Sequence, residues 1–204
     1  MPTIIDYGVG NLYSLDCSFK AIGQDVCVSS DPSQISEAKS LILPGVGAFG
    51  DAAAKLRETG LGEVIIERVK KGVHLLGICL GMQLLFERSY EYGTHDGLGL
   101  LKGEVIPMED FVEPSLKIPQ MGWNDLDIKS DSPILKNTKQ GDYVYFVHSF
   151  AATNCEDSLI ATVDYGAQIT ACVGQGNVFG CQFHPEKSVE VGLDILRAFC
   201  EICA

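Results

Sequence analysis

The sequence has no apolar run long enough to cross a membrane and no excess of basic residues. Only 15 lysines and arginines stand against 27 aspartates and glutamates, which leaves a formal net charge of −12. Such an acidic surface disfavours nucleic acid and anionic lipid as main partners, and the short apolar runs disfavour a membrane span. We therefore expect neither a nucleic-acid-binding protein nor a membrane protein.

A disulfide framework and a secretion signal are also missing. The eight cysteines have no scaffold-like spacing, and Cys27, Cys172 and Cys181 lie in apolar runs, where cysteine usually packs as a small hydrophobic residue. Without a signal peptide, the simplest expectation is a reducing cytosol, so we expect a cytoplasmic protein. The C-x-x-C pair of Cys200 and Cys203 has no second ligand pair and closes the chain, which favours packing over a redox or zinc site.

A dinucleotide fingerprint is incomplete, because Gly8-Val9-Gly10 lacks the third glycine. We therefore expect no cofactor and no metal.

Strand-like and helix-like segments alternate through the first half of the chain, up to Cys79. This order predicts a doubly wound, mostly parallel sheet with its site beyond the carboxyl ends of the strands. The second half instead has short β runs separated by Gly, Pro, Asn and Asp, which predict antiparallel additions to the same sheet. With no visible linker, we expect one α/β domain over residues 1–204. The second-half runs are 104–106, 143–147, 159–163, 169–173 and 178–183.

The stretch Gly77-Ile78-Cys79-Leu80-Gly81 has the G-x-nucleophile-x-G pattern of a sharp strand-to-helix turn. We expect the small flanking residues to allow strained backbone angles, so that the cysteine side chain projects from the turn. An apolar, helix-like run at 84–86 leads out of it. Cys79 would lie at a helix N-terminus, where the helix dipole favours a thiolate. A thiolate there is a nucleophile that needs a base.

The tripeptide His184-Pro185-Glu186 ends the apolar run 178–183 and can supply that base. Proline interrupts strand pairing, so both polar side chains fall at a strand end. A carboxylate that accepts from one imidazole nitrogen leaves the other nitrogen free to serve the thiol. Alone, the tripeptide is also compatible with a merely polar strand end.

Together these motifs resemble those of the class I, triad-type glutamine amidotransferases. Residues 6–12, 44–49, 119–124 and 145–150 further resemble the glutaminase subunits of imidazole glycerol phosphate synthase in histidine biosynthesis. This resemblance runs from near residue 3 to the C-terminal helix. It implies a flavodoxin-like α/β fold and hydrolysis of glutamine to glutamate and ammonia through a cysteine thioester.

The resemblance also implies a role for each matching residue. The expected triad is Cys79, His184 and Glu186, and the expected oxyanion hole is Val46, Gly47 and Leu80. Substrate glutamine is expected to contact Gly47, Gln83, Glu91, Ser149 and Phe150; Phe150 stands where a tyrosine is expected, so its contact would come from the main chain.

The implied partner is a TIM-barrel cyclase subunit that forms a heterodimer and receives ammonia directly across a closed interface. The implied interface contains an irregular apolar segment around Trp123, and nucleotide binding to the partner is expected to activate the glutaminase. In that model, glycines 45 and 47 both allow the oxyanion loop to reorient. The expected interface residues are Pro119, Met121, Trp123, Tyr145, His148 and Lys187.

Three alternatives stay open. A class I glutaminase that serves another acceptor, such as a sugar-modification paralogue, would have the same cysteine chemistry and a different interface. A hydrolase or stress protein on the same fold would not need Gln83 or His184-Pro185-Glu186. An inactive partner-binding module would not need all three triad residues.

Overall fold

The computed structural model describes residues 1–203. The chain alternates strand and helix as predicted as far as the Cys79 turn, and it then becomes mainly β until a last long helix. Its helices are α1 (Leu12–Ala21), α2 (Pro32–Glu37), α3 (Phe49–Glu58), α4 (Leu61–Lys70), α5 (Leu80–Gln83) and α6 (Val189–Ile202). Its strands are β1 (Thr3–Ile5), β2 (Cys27–Ser29), β3 (Ser40–Leu43), β4 (His74–Ile78), β5 (Arg88–Ser89), β6 (His95–Asp96), β7 (Glu104–Pro107), β8 (Gln120–Asp125), β9 (Asp127–Ile128), β10 (Tyr143–His148), β11 (Phe150–Thr153), β12 (Leu159–Asp164), β13 (Gln168–Gln175) and β14 (Val178–Cys181).

The central sheet has eight strands in the order β2-β1-β3-β4-β14-β13-β12-β9. The first five strands are parallel to one another, and β13, β12 and β9 continue the sheet beyond β14 in antiparallel pairs. The predicted α/β fold with a mostly parallel sheet is confirmed. The carboxyl ends of β1, β3 and β4 lead into the turns at Asp6, Pro44 and Cys79, so these turns share one edge.

Three details of the second half differ from the sequence-based expectation. Residues 178–183 are not an antiparallel addition, because the hairpin after β13 reverses the chain and lays β14 parallel to β4. Residues 104–106 and 143–147 leave the central sheet altogether: β7 pairs with β11 and β5, and β10 pairs with β8. The segment around Trp123, expected to be irregular, is the regular strand β8.

The apolar run 84–86 is not helical either, since α5 ends at Gln83. Its carbonyls instead accept backbone hydrogen bonds from residues 98–101, at 2.8–3.1 Å. These bonds hold the run inside the core, where its three side chains are fully buried.

Apolar side chains cover both faces of the sheet, as a doubly wound fold requires. One core cluster includes Phe49, Leu56 and Ile65 from α3 and α4. The other includes Phe19 of α1 and Phe199 of α6. Within residues 1–203, no helix is both long and apolar enough to span a membrane.

Candidate active site

Cys79 occupies the strand-to-helix turn that the motif predicts, between β4 and α5. Its backbone angles are φ 55° and ψ −113°, and its side chain is buried. A non-glycine residue at positive φ is uncommon and costs free energy, so the surrounding structure must hold it there. The turn projects the thiol into a pocket at the carboxyl edge of the sheet.

The two flanking glycines are required for a different reason from the one expected, because neither has a positive φ. A Cβ on Gly81 would lie 1.8 Å from the carbonyl oxygen of Leu43, and one on Gly77 would lie 2.7 Å from the carbonyl oxygen of Gly81. The flanking glycines thus do not adopt the strained angles themselves. They allow close backbone approach, and Cys79 itself carries the strain.

His184 and Glu186 form a buried pair beside Cys79. The imidazole Nδ1–H donates to Glu186 Oε1 at 2.8 Å, and both side chains are at most 3% exposed. Burial on its own lowers the pKa of His184, but hydrogen bonds with Cys79 and Glu186 outweigh it and raise this pKa to about 9. The ring is therefore held in its charged form beside the thiol at neutral pH, ready to give up a proton.

We expect the free energy of unfolding to decrease as pH rises from 6.5 to about 9. The folded state holds the His184 proton more tightly than the unfolded state, so this contribution is complete below the unfolded pKa of 6.5 and is lost above about 9. Its size is at most about 3 kcal/mol. Urea denaturation across this range should give a flatter profile for His184→Gln than for the wild type; parallel profiles would contradict the raised pKa.

Gln182 is a site residue that sequence reasoning missed. Its amide Nε2 lies 3.8 Å from Cys79 Sγ, and its Oε1 accepts from Gln83 Nε2 at 2.9 Å. Gln83 Nε2 also donates to the Phe150 carbonyl at 2.9 Å, so only the amide oxygen of Gln83 is left for a substrate. The spacing of Gln182 two residues before His184 is a signal that could have found it, because alternate side chains of an extended segment share a face.

A pocket of about 350 Å³ gathers most of the residues that sequence reasoning assigned to the site. Glu186 lies behind His184 rather than on the wall. Tyr92 and Val147 also line the pocket, although no motif pointed to them. The predicted residues on its wall are Val46, Gly47, Cys79, Leu80, Gln83, Glu91, Pro119, His148, Ser149, Phe150 and His184.

Glu91 has a structural contact beside its place in the pocket. Its Oε2 accepts from the backbone N–H of Phe49 at 2.7 Å, at the start of α3. Burial raises the pKa of this carboxyl group. One carboxylate oxygen thus holds α3, the helix that follows the Pro44–Gly47 loop, and the other is left for a ligand.

The loop from Pro44 to Gly47 is fixed at one end and open at the other. The hydroxyl of Tyr7 donates to the Pro44 carbonyl at 2.7 Å, and a Cβ on Gly45 would lie 2.8 Å from that hydroxyl. Gly47 has φ 93° and open space around it. The freedom expected at both glycines is therefore present only at Gly47.

The residues predicted to form an interface divide into two groups. Pro119, Met121, Trp123 and Lys187 are exposed, with Trp123 47% and Met121 63% accessible, and Tyr145 is half-buried. His148 differs from this group, because it is buried on the pocket wall; its place at an interface stays a prediction.

Tyr145 connects the exposed group to the buried pair. Its ring packs edge-on against Trp123 at 5.8 Å, with Lys187 Nζ 5.6 Å above it. Its backbone carbonyl accepts from the His184 N–H at 2.9 Å, and its own N–H donates to Ser188 Oγ at 3.0 Å. Ser188 Oγ in turn donates to the His184 carbonyl, so Ser188, the N-cap residue of α6, makes no capping hydrogen bond with its side chain.

Comparisons with known proteins agree with this geometry. The model of the family "Glutamine amidotransferase class-I" matches residues 3–202. The imidazole glycerol phosphate synthase subunit HisH of Bacillus subtilis is 50% identical, with 100% of this chain and 97% of the relative covered. HisH of Aquifex aeolicus is also 50% identical, with 96% and 94% covered.

Among solved structures, PurLQS from Thermotoga maritima matches with a TM-score of 0.76 and 23% identity, over 100% of this chain and 98% of that one. At this identity the match supports the fold alone. The family model and the HisH relatives establish that the chain belongs to the class I glutamine amidotransferases.

Proposed function

We propose that this chain is the glutaminase subunit of imidazole glycerol phosphate synthase in histidine biosynthesis. The observation that carries the proposal is Cys79 on its strained turn, beside the buried His184–Glu186 pair. Identity of about 50% to HisH subunits along nearly the whole chain supports the same function.

Each residue of this constellation has a step to perform. The thiolate of Cys79 attacks the side-chain amide carbon of glutamine, and charged His184 gives its proton to the departing nitrogen, which leaves as ammonia. Neutral His184 then takes a proton from water, which attacks the thioester and releases glutamate and the thiol. Glu186 holds the imidazole in the required tautomer and stabilises its charged form.

The oxyanion of each tetrahedral intermediate needs backbone donors, each worth roughly 3–4 kcal/mol. The N–H of Leu80, directly after the nucleophile, is one candidate. The loop end at Val46 and Gly47 lines the same pocket and is the other. Because Gly47 has a free side and a positive φ, we propose that a peptide there reorients when the partner binds its nucleotide ligand.

The exposed apolar residues around Trp123 are Pro119 and Met121. They support a docking role for the antiparallel pair of strands β8 and β10, here called the β8–β10 ribbon. Aromatic side chains are over-represented among residues that dominate binding energy. The proposed occupant is a TIM-barrel cyclase that makes imidazole glycerol phosphate and an aminoimidazole carboxamide ribotide. Most free ammonia is protonated in neutral water, so direct transfer across a closed interface preserves its reactivity; both subunits would work in the cytoplasm.

The test is glutamate release by this chain with a histidine-pathway cyclase, with and without the ribonucleotide substrate of the cyclase. Strong stimulation in the complete mixture is the expected result. Absence of both a complex and stimulation would contradict the pathway assignment and favour a glutaminase that serves another acceptor.

Replacing Trp123 with alanine should weaken cyclase binding by about 30-fold, since a buried interface tryptophan typically contributes 2 kcal/mol or more. Calorimetric titration measures the change in Kd. Tyr13→Ala is the matched control, because Tyr13 is an exposed aromatic residue on α1. Equal affinities for the two variants would place the interface elsewhere.

A further inference from the structure

The side chain of Gln182 is buried against Cys79, and both ends of its amide are in use. Its exposed fraction is 0%. Gln182 directly follows β14, and its backbone N–H donates to the Ala171 carbonyl at 2.9 Å, which fixes its place in the central sheet. The Cys79 N–H donates to the Cys181 carbonyl at 2.7 Å, so the segments that carry the thiol and the amide are bound to each other.

A chain of hydrogen bonds decides which end of this amide faces the sulfur. The Phe150 carbonyl can only accept, and it lies 2.9 Å from one end of the Gln83 side chain, so that end is the Nε2 amide group. The same nitrogen lies 2.9 Å from the Gln182 side chain, so the atom that it meets there is the acceptor Oε1. The Nε2 of Gln182 is therefore on the side of Cys79, 3.8 Å from Sγ. The amide cannot turn over, because two donors would then meet inside the core.

An N–H donor beside the sulfur stabilises a thiolate more than a thiol, since hydrogen bonds to a charged group are the stronger ones. His184 is the other group that hydrogen-bonds Cys79. The two groups differ in chemistry, because His184 has to give up its proton during the reaction, whereas the amide of Gln182 does not titrate. The sulfur therefore keeps one donor when the imidazole is neutral.

We infer that Gln182 is a further catalytic residue, whose amide N–H holds the sulfur of Cys79 as a thiolate. Gln83 is then the positioning residue that holds this amide in the required orientation. The inference rests on Cys79 being the nucleophile of the proposed function.

The thiolate occurs twice in that reaction. It is first the attacking group and later the leaving group, when water attacks the thioester carbon and the C–S bond breaks with its electron pair on sulfur. His184 takes the proton of that water. Gln182 is the donor left for the sulfur in this second step.

The test is the rate at which iodoacetamide alkylates Cys79 in the isolated chain, measured as a function of pH by mass spectrometry of the peptide that contains it. Gln182→Met removes the donor at similar volume. The pH profile of the rate should move to higher pH by about one unit, because the lost hydrogen bond favoured the thiolate. The titratable groups around the sulfur, Tyr7 and the His184–Glu186 pair, are the same in every variant, so the displacement reports the amide.

Gln83→Met leaves Gln182 in place and removes the group that orients it. This variant should move the profile in the same direction by a smaller amount. Combined with Gln182→Met it should add nothing, because both residues act through one hydrogen bond to the sulfur. Gln83→Met also tests the inference on its own if Gln182→Met fails to fold.

Gln120→Met is the matched control. Gln120 is also a fully buried glutamine, but its Nε2 donates to Asn124 Oδ1 at 2.9 Å instead of to the sulfur. Its profile should equal that of the wild type. The exposed Cys17 is an internal standard, since its alkylation should be the same in every chain.

Glutamate release in the complex with the cyclase is the second readout, and Gln182→Met should lower kcat at least about tenfold. A wild-type profile in Gln182→Met or in Gln83→Met would overturn the inference, as would an equal displacement in Gln120→Met. Failure of the proposed function looks different: the cyclase then gives no stimulation, or Cys79→Ala still releases glutamate. The alkylation profiles are measured without the partner and do not depend on it.

Discussion

Cys79→Ala is expected to reduce glutamate release to the background of the assay, a loss of at least about 10⁴-fold. The thioester cannot form without the sulfur atom of Cys79. The turn then offers no comparable nucleophile to replace it. The imidazole of His184 would keep its hydrogen bond to the Glu186 carboxylate. It would lose its hydrogen bond with the side chain of residue 79. Glutamate release in the activated complex is the measurement.

The same variant should retain cyclase turnover on added ammonia, because the second reaction does not use the cysteine. Cys17→Ala is the matched control, since Cys17 is an exposed cysteine on α1 and its removal should leave glutamate release unchanged. Residual activity above about 1% in Cys79→Ala would indicate another nucleophile and contradict the thioester route.

Gly81→Ala is expected to destabilise the protein by more than about 4 kcal/mol, which is an exceptional effect for one methyl group. The added Cβ would lie 1.8 Å from the Leu43 carbonyl oxygen, so the backbone of β3 and the Cys79 turn would have to separate. Both segments are bound into the central sheet and have no room to move apart without breaking strand pairs.

Gly62→Ala provides the comparison within the same chain. Gly62 is also buried, but its Cβ would have no neighbour closer than 3.5 Å, and it lies in the first turn of α4. Alanine there should be neutral or stabilise the protein by up to about 1 kcal/mol, because alanine is the better helix former. Urea denaturation measures both variants, and similar midpoints would show that the turn is looser than the geometry requires.

The sequence was sufficient for the parts of the fold that local patterns specify. Apolar periodicity and glycine punctuation located the strands and the helices α1, α3 and α4 before Cys79, because these signals arise within a few residues; α2 was not predicted. The direction of β14 and the pairing of β8 with β10 were not predictable in this way, since both depend on partners distant in the chain. The 84–86 run was mispredicted for the same reason: its hydrogen-bond partners begin more than ten residues later.

The same distinction between local sequence signals and long-range contacts applies to the candidate site. The motifs named Cys79, His184 and Glu186, and the structure places them together, while their catalytic roles stay predictions until the variants are measured. Gln182 was overlooked because its only local signal is its spacing two residues before His184, which matters only once the segment is known to be extended. The burial of His148 depends on how the ribbon folds back over the pocket, which no spacing in the sequence encodes.

The backbone bonds of Tyr145 have a consequence for how this protein can evolve. Both its carbonyl and its N–H are bound by the segment that holds the imidazole, while its ring belongs to the exposed apolar group. One residue thus belongs both to the proposed docking group on the β8–β10 ribbon and to the hydrogen-bond network that holds His184. A change of partner that reshapes the β8–β10 ribbon must therefore shift the position of His184 as well. Substitutions that alter the proposed docking group are therefore expected to change the rate of the cysteine reaction as well.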